Sequence, residues 1–275
     1  MVQKLQTNQL KEISKQVRKE ILQMSFRAQS AHSGGALSCV EILVALYFDV
    51  MKIFPKDPYN DKRDRLVFSK AHDAKALYAV LAERGFFDKK ILEKYEVDNA
   101  ILPGHSTRHV VPGVEVSAGA LGHGLSMAAG MAYAGKIDKI KHRVFAVLSD
   151  GECDEGSTWE AILFSGHHQL DNLVAVVDYN KLQGVGFTKD ILELEPFADK
   201  WRDFGWEVKT LNGNSFEELL PALNSLPFRK NKPSVIIANT IKGLGGVEKH
   251  VNKVSSQYKP PTQEELEKAM EELKI

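Results

Sequence analysis

The sequence has few cysteines, no excess of charge and no long apolar run. Its 275 residues include two cysteines, Cys39 and Cys153, which do not make a disulfide framework. Lysine and arginine together number 36, as do aspartate and glutamate, so charge gives no reason to expect nucleic acid or a membrane surface as a partner. The longest apolar stretches, such as VEILVALYF, are too short to span a bilayer, and the polar N-terminus is unlike a secretory signal. We therefore expect a cytoplasmic protein.

Apolar, β-branched runs alternate with helical segments through the second half of the chain. The runs are RVFAVL, LVAVVD, WEVKTL and SVIIANT, and a shorter one, RLVF, lies earlier. Continuous apolar strands that alternate with helices predict a parallel sheet covered on both faces. The length suits one domain over residues 1–275. We predict an α/β fold with a doubly wound parallel sheet.

Helix signals flank these runs. Leu10, Ile13, Val17 and Ile21 fall at helical spacing and predict an amphipathic opening helix. The segment SFEE, which begins at Ser215, predicts a helix start with a capping box, and so does the segment that begins at Thr262.

The stretch SDGECDEG, residues 149–156, puts several carboxylates directly after RVFAVL. If RVFAVL and LVAVVD are neighbouring parallel strands, Asp150 and Asn180 lie together at their carboxyl ends, where such sheets bind ligands. Carboxylate, amide and carbonyl oxygens suit Mg²⁺, which completes its octahedron with water and phosphate oxygens. Gly151 lets an anion approach the backbone, and a helix beginning near Glu155 would direct its N-terminus toward that anion. Together the two strand ends predict a metal–diphosphate site, although either turn alone is typical of a solvated loop.

Across almost its whole length the chain resembles the N-terminal, diphosphate-binding half of transketolases. SDGECDEGSTWEAILFSGHHQLDNLVAVVDYNKLQ is similar to the family's thiamin diphosphate motif, which runs from Gly-Asp-Gly to an Asn some thirty residues on. Further blocks match in order: SAHSGGALS, FSKAHDAKALYAVLAERG, LPGHSTR, SAGALGHGLSMAAGMAYAGK and ANTIKG. The resemblance implies the thiamin-diphosphate-binding fold and transfer of a two-carbon ketol unit from a ketose, or ketose phosphate, to an aldose.

The resemblance also implies roles for individual residues. Asp150, Asn180 and the Leu182 carbonyl would hold Mg²⁺, and Gly151 would contact the diphosphate of the cofactor. Gly119 and Leu121 would lie along its aminopyrimidine and thiazolium rings. Glu155 and Glu160 match acids that link paired cofactor sites at the interface between the family's subunits, although a helix N-terminus favours acids in any case.

Three histidines, His32, His72 and His105, occupy the positions of the family's active-site histidines. Imidazoles suit the proton transfers on sugar hydroxyls and carbonyls, and we expect the three to line one pocket with Gly119 and Leu121; His72 would also contact the cofactor. His123 is a weaker candidate. Two departures stand out: Asp73 makes the rim near the diphosphate more crowded and acidic, and Gln257 replaces a histidine, for which His250 is a candidate substitute.

The resemblance finally implies a partner. In transketolases the glutamate that activates the pyrimidine ring lies in the other half of the protein, so we expect a separate subunit carrying the C-terminal half, in an α₂β₂ heterotetramer. Two alternatives remain open at this point. One is the α subunit of a 2-oxo-acid dehydrogenase, which has a similar metal motif and should lack the histidine blocks. The other is a degenerate paralogue that binds a catalytic partner without turnover.

Overall fold

One parallel β-sheet forms the centre of the structure, a computed structural model that describes residues 5–274. Its strands are β1 (Arg65–Phe68), β2 (Val144–Ser149), β3 (Leu173–Tyr179), β4 (Glu207–Asn212) and β5 (Ser234–Asn239). They lie in the order β1-β2-β3-β5-β4, and every neighbouring pair is parallel. The predicted α/β class and parallel sheet are confirmed.

Helices fill the segments between and around the strands. The α-helices are α1 (Thr7–Ala28), α2 (Ser33–Ser38), α3 (Val40–Ala45), α4 (Ala74–Glu83), α5 (Gly124–Ile137), α6 (Gly156–His167), α7 (Thr188–Ile191), α8 (Phe197–Asp203), α9 (Phe216–Asn224), α10 (Ser255–Tyr258) and α11 (Gln263–Glu272). A π-helical segment, Leu46–Val50, continues α3, and short 3₁₀ segments span Ala71–Asp73, Lys89–Lys94, Gly151–Asp154 and Glu248–His250. Within residues 5–274, none of these helices combines the length and apolar character that a membrane span requires.

Both faces of the sheet are covered, as the apolar strands predict. Phe145 and Val147 of β2 belong to a core shared with α1, α3, α4 and α9. Val144, Ala146 and Leu148 belong to a second core, shared with α5, α6 and α8. Successive side chains of a strand point to opposite faces, so a strand buried on both faces needs a continuous apolar run.

One of the two predicted capping boxes is wrong. Thr262 caps α11 as predicted, because its hydroxyl accepts from the Glu265 nitrogen and the Glu265 carboxylate accepts from the Thr262 nitrogen. Ser215 precedes α9 but makes no side-chain capping bond. The carboxylate of Glu218 accepts instead from the main-chain nitrogen of Asn212, at the end of β4, at 2.9 Å. A hydrogen bond to the end of β4 has thus replaced the capping bond at the start of α9.

Candidate functional site

The carboxyl ends of β2 and β3 open onto a cavity of about 250 Å³. The two strands are neighbours, with Ser149 of β2 in register with Asp178 of β3. Asp150 and Asn180 follow the strands directly and both line the cavity. Asp150 and Asn180 therefore lie at one cavity, beyond the ends of two neighbouring strands.

Asp150 is a buried carboxylate held by two main-chain N–H groups. It is 2 % exposed, its Oδ1 accepts from the Gly151 nitrogen at 2.8 Å, and its Oδ2 accepts from the Lys181 nitrogen at 2.6 Å. Burial raises the pKa of Asp150 to about 6, and the nearby carboxylate of Asp178 acts in the same direction. A cation at this point would relieve both effects, because it favours the ionised carboxylate.

The other two predicted metal ligands, Asn180 and Leu182, also line the cavity. The Oδ1 atom of Asn180 accepts from the Leu182 nitrogen at 3.1 Å, and the Leu182 carbonyl accepts from Nζ of Lys242 at 2.7 Å. Burial lowers the pKa of Lys242. The Leu182 carbonyl thus accepts from Lys242 with one lone pair, and its second lone pair remains for a metal ion.

These oxygen donors suit a hard cation such as Mg²⁺ better than a soft metal. Residues 5–274 contain no group of three or more histidine, cysteine, aspartate or glutamate side chains arranged to hold a metal. The set of one carboxylate, one amide oxygen and one carbonyl leaves the remaining positions to water and phosphate, as Mg²⁺ prefers.

A buried network centred on Asp178 supports this set. Asp178 is fully buried, and its Oδ2 accepts from Ser38 at 2.5 Å and from the ammonium group of Lys70. Oδ1 accepts from the hydroxyl of Thr240. Nδ2 of Asn180 donates to Oδ2 at 3.4 Å, which turns the amide so that its oxygen faces away from Asp178. The network thereby orients one of the predicted metal ligands.

Two of the three predicted histidines, His32 and His72, share the cavity. Their ring centroids lie 5.3 Å apart, and both rings are partly buried. Burial lowers the pKa of both, that of His72 to about 4. Both imidazoles are therefore neutral near pH 7, and each presents one N–H donor and one acceptor nitrogen.

Asp73 also lines this cavity and crowds it. The residue is fully buried, its Oδ2 lies 3.3 Å from Nε2 of His72 and 3.1 Å from Nζ of Lys70, and a Cβ added at Gly35 would clash with its carboxylate. Burial alone would raise the pKa of Asp73, but His72 and Lys70 hold it below its usual value. An anion is thus fixed beside the predicted diphosphate site.

His105 and Gly119 lie outside the set of residues that line the cavity. Both are exposed, and they adjoin each other, since a Cβ added at Gly119 would lie 3.6 Å from Cδ2 of His105. Tyr78 donates to the His105 carbonyl at 3.2 Å. Leu121, in contrast, does line the cavity. The structure therefore brings together His32, His72 and Leu121, with His105 and Gly119 on the adjoining surface.

The predicted acids Glu155 and Glu160 are exposed at α6. Glu155 is the residue before this helix, and it packs closely on Gly122, where an added Cβ would lie 2.7 Å from Glu155 Cβ. Ser157 strengthens the contact by donating to the Gly122 carbonyl at 2.9 Å. The start of α6 is thus fastened to the loop that carries Leu121.

Sequence reasoning did not assign three further residues at the site. Lys242 binds the Leu182 carbonyl, Gln183 donates to Asp154 at 2.7 Å, and Glu152 is fully buried and accepts from Ser69 and, at 3.0 Å, from the Gly122 nitrogen. Lys242 comes shortly after β5, so the rule that ligands bind beyond strand ends would have found it. Nothing in the sequence separates the buried Glu152 from the exposed Glu155.

The two cysteines are free and buried. Burial raises the thiol pKa of both Cys39 and Cys153, so neither is a thiolate near neutral pH. Cys153 is therefore a packed thiol, whose Sγ lies 3.6 Å from the Ser149 carbonyl oxygen.

Comparison with known proteins places this geometry in a family. A family profile described as "Transketolase, thiamine diphosphate binding domain" matches residues 10–273. The chain is 39% identical over 274 residues to one of the named subunits of the apulose-4-phosphate transketolase of Phocaeicola vulgatus, covering 98% of this chain and 95% of that protein. It is 43% identical over 229 residues to the 6-deoxy-6-sulfo-D-fructose transketolase subunit SqwG of a Clostridium species, covering 83% of each.

Solved structures agree. The transketolase of Campylobacter jejuni superposes with a TM-score of 0.92 at 30% sequence identity, covering 98% of this chain and 43% of that one. The transketolase of Leishmania mexicana gives a TM-score of 0.89 at 26% identity, covering 96% and 41% respectively. The chain therefore spans about two fifths of the length of these transketolases.

Proposed function

Because the chain belongs to the transketolase family and carries its thiamine diphosphate binding domain, we propose that it transfers a two-carbon ketol unit from a ketose to an aldose together with a second subunit. The observation that carries this proposal is the cavity at the ends of β2 and β3. There the oxygen donors Asp150 and Asn180 face the same space as the imidazoles of His32 and His72. A cation, an anionic cofactor and a sugar each find matching groups.

The metal and the diphosphate would lie in the part of the cavity beside the ends of β2 and β3. In this proposal Asp150, Asn180 and the Leu182 carbonyl would hold Mg²⁺ and leave its remaining positions to water and phosphate oxygens. Gly151 allows close approach to the backbone, and Lys242 supplies a positive charge. Bound thiamin diphosphate supplies the carbanion stabilisation that ketol transfer requires, while the protein supplies placement and proton transfer.

His32 and His72 act on the reacting sugar as neutral imidazoles, since burial keeps their pKa values low. A neutral ring presents one donor and one acceptor nitrogen, so His32 holds a substrate oxygen by donating a hydrogen bond, and His72 takes or returns a proton. His72 would also contact the cofactor, and Oδ2 of Asp73 lies 3.3 Å from its Nε2. His105, on the adjoining surface, completes the set when the substrate lies between the subunits.

The second subunit carries the part of a transketolase that this chain does not match. Two observations support this: the chain covers about two fifths of whole transketolases, and relatives of matching length are named as subunits. Exposed residues beside the cavity, His105, Gly119 and Glu155, would be covered by that second chain. Leu163 of α6 is an apolar side chain that is 55% exposed. We propose an α₂β₂ heterotetramer, in the cytoplasm.

The donor is a ketose or ketose phosphate. The two subunit relatives described above act, by their names, on apulose 4-phosphate and on 6-deoxy-6-sulfo-D-fructose. The crowding by Asp73 and the glutamine at position 257 fit a specialised sugar better than the usual pentose phosphates, because both change groups that line the cavity.

The experiment is a ketol-transfer assay of the chain reconstituted with its partner subunit. Ketose donors, both phosphorylated and unphosphorylated, are offered with an aldose, thiamin diphosphate and Mg²⁺. We expect turnover that requires both subunits, is lost in Asp150→Ala and is kept in the control Asp190→Ala, which alters an exposed residue of α7. An Asp150→Ala enzyme with wild-type turnover at saturating cofactor would overturn the metal assignment.

A further inference from the structure

Gln257 contacts His32 twice, although 225 positions separate them in the chain. It lies in α10 and is 7% exposed. Its main-chain carbonyl accepts from the His32 nitrogen at 2.6 Å, and its side-chain Nε2 lies 2.5 Å from Nδ1 of the His32 ring. One residue therefore holds both the backbone and the imidazole of His32.

The backbone of His32 requires such support. Its φ of 67° and ψ of 24° lie in the left-handed region, which residues other than glycine seldom adopt. Conformations of this kind persist when the surrounding structure enforces them, and they are common at functional sites. Lys75 assists from α4, where its buried Nζ donates to the Ala31 carbonyl at 2.7 Å. Gln257 and Lys75 thus fix the two sides of this turn.

The side chain of Gln257 makes its one described hydrogen bond to His32. Among residues 5–274, its Oε1 is buried without a hydrogen-bond partner. Gln257 also lines the cavity together with His32, so the pair belongs to the candidate site. Glutamine also has no titrating group, so it orients a histidine without exchanging a proton with it.

We propose that Gln257 is a positioning residue that holds the His32 imidazole in a single tautomer, with its proton on Nε2. With the amide NH₂ group of Gln257 facing Nδ1 of His32, this nitrogen accepts and the ring proton is on Nε2. His32 therefore presents a donor, and not a base, at Nε2. The consequence for turnover rests on the proposed ketol transfer, whereas the tautomer itself does not.

The tautomer is measured by NMR, from the ¹⁵N and ¹³C shifts of the His32 ring in this chain, assigned by comparison with His32→Gln. We expect the proton on Nε2. Gln257→Glu places an oxygen that only accepts beside Nδ1 and leaves the main-chain contact intact, so we expect a proton to appear on Nδ1. The matched control Gln263→Glu changes an exposed residue of α11 and should keep the wild-type shifts. If Gln257→Glu does not fold, Gln257→Leu should give a mixture of tautomers.

Kinetics of the reconstituted enzyme give the second readout. Gln257→Glu and Gln257→Leu should lower kcat about 10²-fold, as misplacement of a catalytic group does, with cofactor affinity unchanged. Gln263→Glu should leave kcat unchanged. A wild-type His32 protonated on Nδ1, or wild-type shifts in a folded Gln257→Glu or Gln257→Leu variant, would overturn the inference. Absence of turnover in the wild-type enzyme would refute the proposed function, and the NMR result would still decide the role of Gln257.

Discussion

Replacing Asp150 by asparagine should make the free chain more stable at pH 8 and no more stable near pH 4. Burial raises the pKa of Asp150 to about 6 from its ordinary value of 3.8. The difference is worth about 3 kcal/mol, at about 1.36 kcal/mol for each pKa unit. Because the folded pKa lies above the unfolded one, ionised Asp150 lowers the free energy of unfolding above pH 6, and this cost vanishes below about pH 4.

The Asp150→Asn substitution removes the negative charge, and it also removes one of the two hydrogen-bond acceptor oxygens. Both carboxylate oxygens of Asp150 accept main-chain hydrogen bonds, from Gly151 and Lys181, and an amide has one oxygen. The lost hydrogen bond costs about 1 kcal/mol. We therefore expect a net gain of about 2 kcal/mol at pH 8, and none near pH 4.

Urea unfolding of both proteins without Mg²⁺, at pH 8 and pH 4, measures these differences. The control Asp190→Asn alters an exposed residue and should shift the free energy of unfolding by less than about 0.5 kcal/mol at either pH. If Asp150→Asn does not raise the free energy of unfolding at pH 8, or raises it equally at the two pH values, Asp150 does not carry a destabilising buried charge in the metal-free chain.

Three further predictions concern individual residues. Asn180→Ala should abolish turnover of the reconstituted enzyme with an unchanged circular dichroism spectrum; full activity at saturating cofactor would remove Asn180 from the metal ligands. His105→Ala should lower kcat by about 10²–10⁴-fold, as loss of a general acid, base or positioning group does, and an unchanged rate would show that His105 does not reach the substrate. Asp178→Asn should lower the free energy of unfolding by about 3–5 kcal/mol, because it leaves the ammonium group of Lys70 without its main carboxylate; a change below about 1 kcal/mol in urea unfolding would show that Asp73 alone suffices.

The sheet and the joint position of Asp150 and Asn180 could be predicted because both follow from local rules. A strand buried on both faces must be apolar throughout, and the carboxyl ends of neighbouring parallel strands share one edge of a sheet. Family resemblance then named His32 and His72, which the structure places in one cavity.

Contacts between distant segments could not be predicted in this way. The pairing of Gln257 with His32 joins residues 225 positions apart, and that of Lys242 with the Leu182 carbonyl joins residues 60 apart. Such contacts depend on how loops pack, which no period or spacing encodes. The failed capping box at Ser215 has a nearer cause, because Glu218 accepts from the main-chain nitrogen of Asn212, six residues earlier, at the end of β4.

The most direct test of a cofactor site shared by two subunits is isothermal titration calorimetry with thiamin diphosphate and Mg²⁺. The titration is made on this chain by itself, on the isolated partner and on their mixture. A shared site predicts weak or no binding by either chain by itself and clear saturable binding by the mixture, which Asp150→Ala abolishes. Tight cofactor binding by this chain by itself, together with ketol transfer in the absence of any partner, would contradict it.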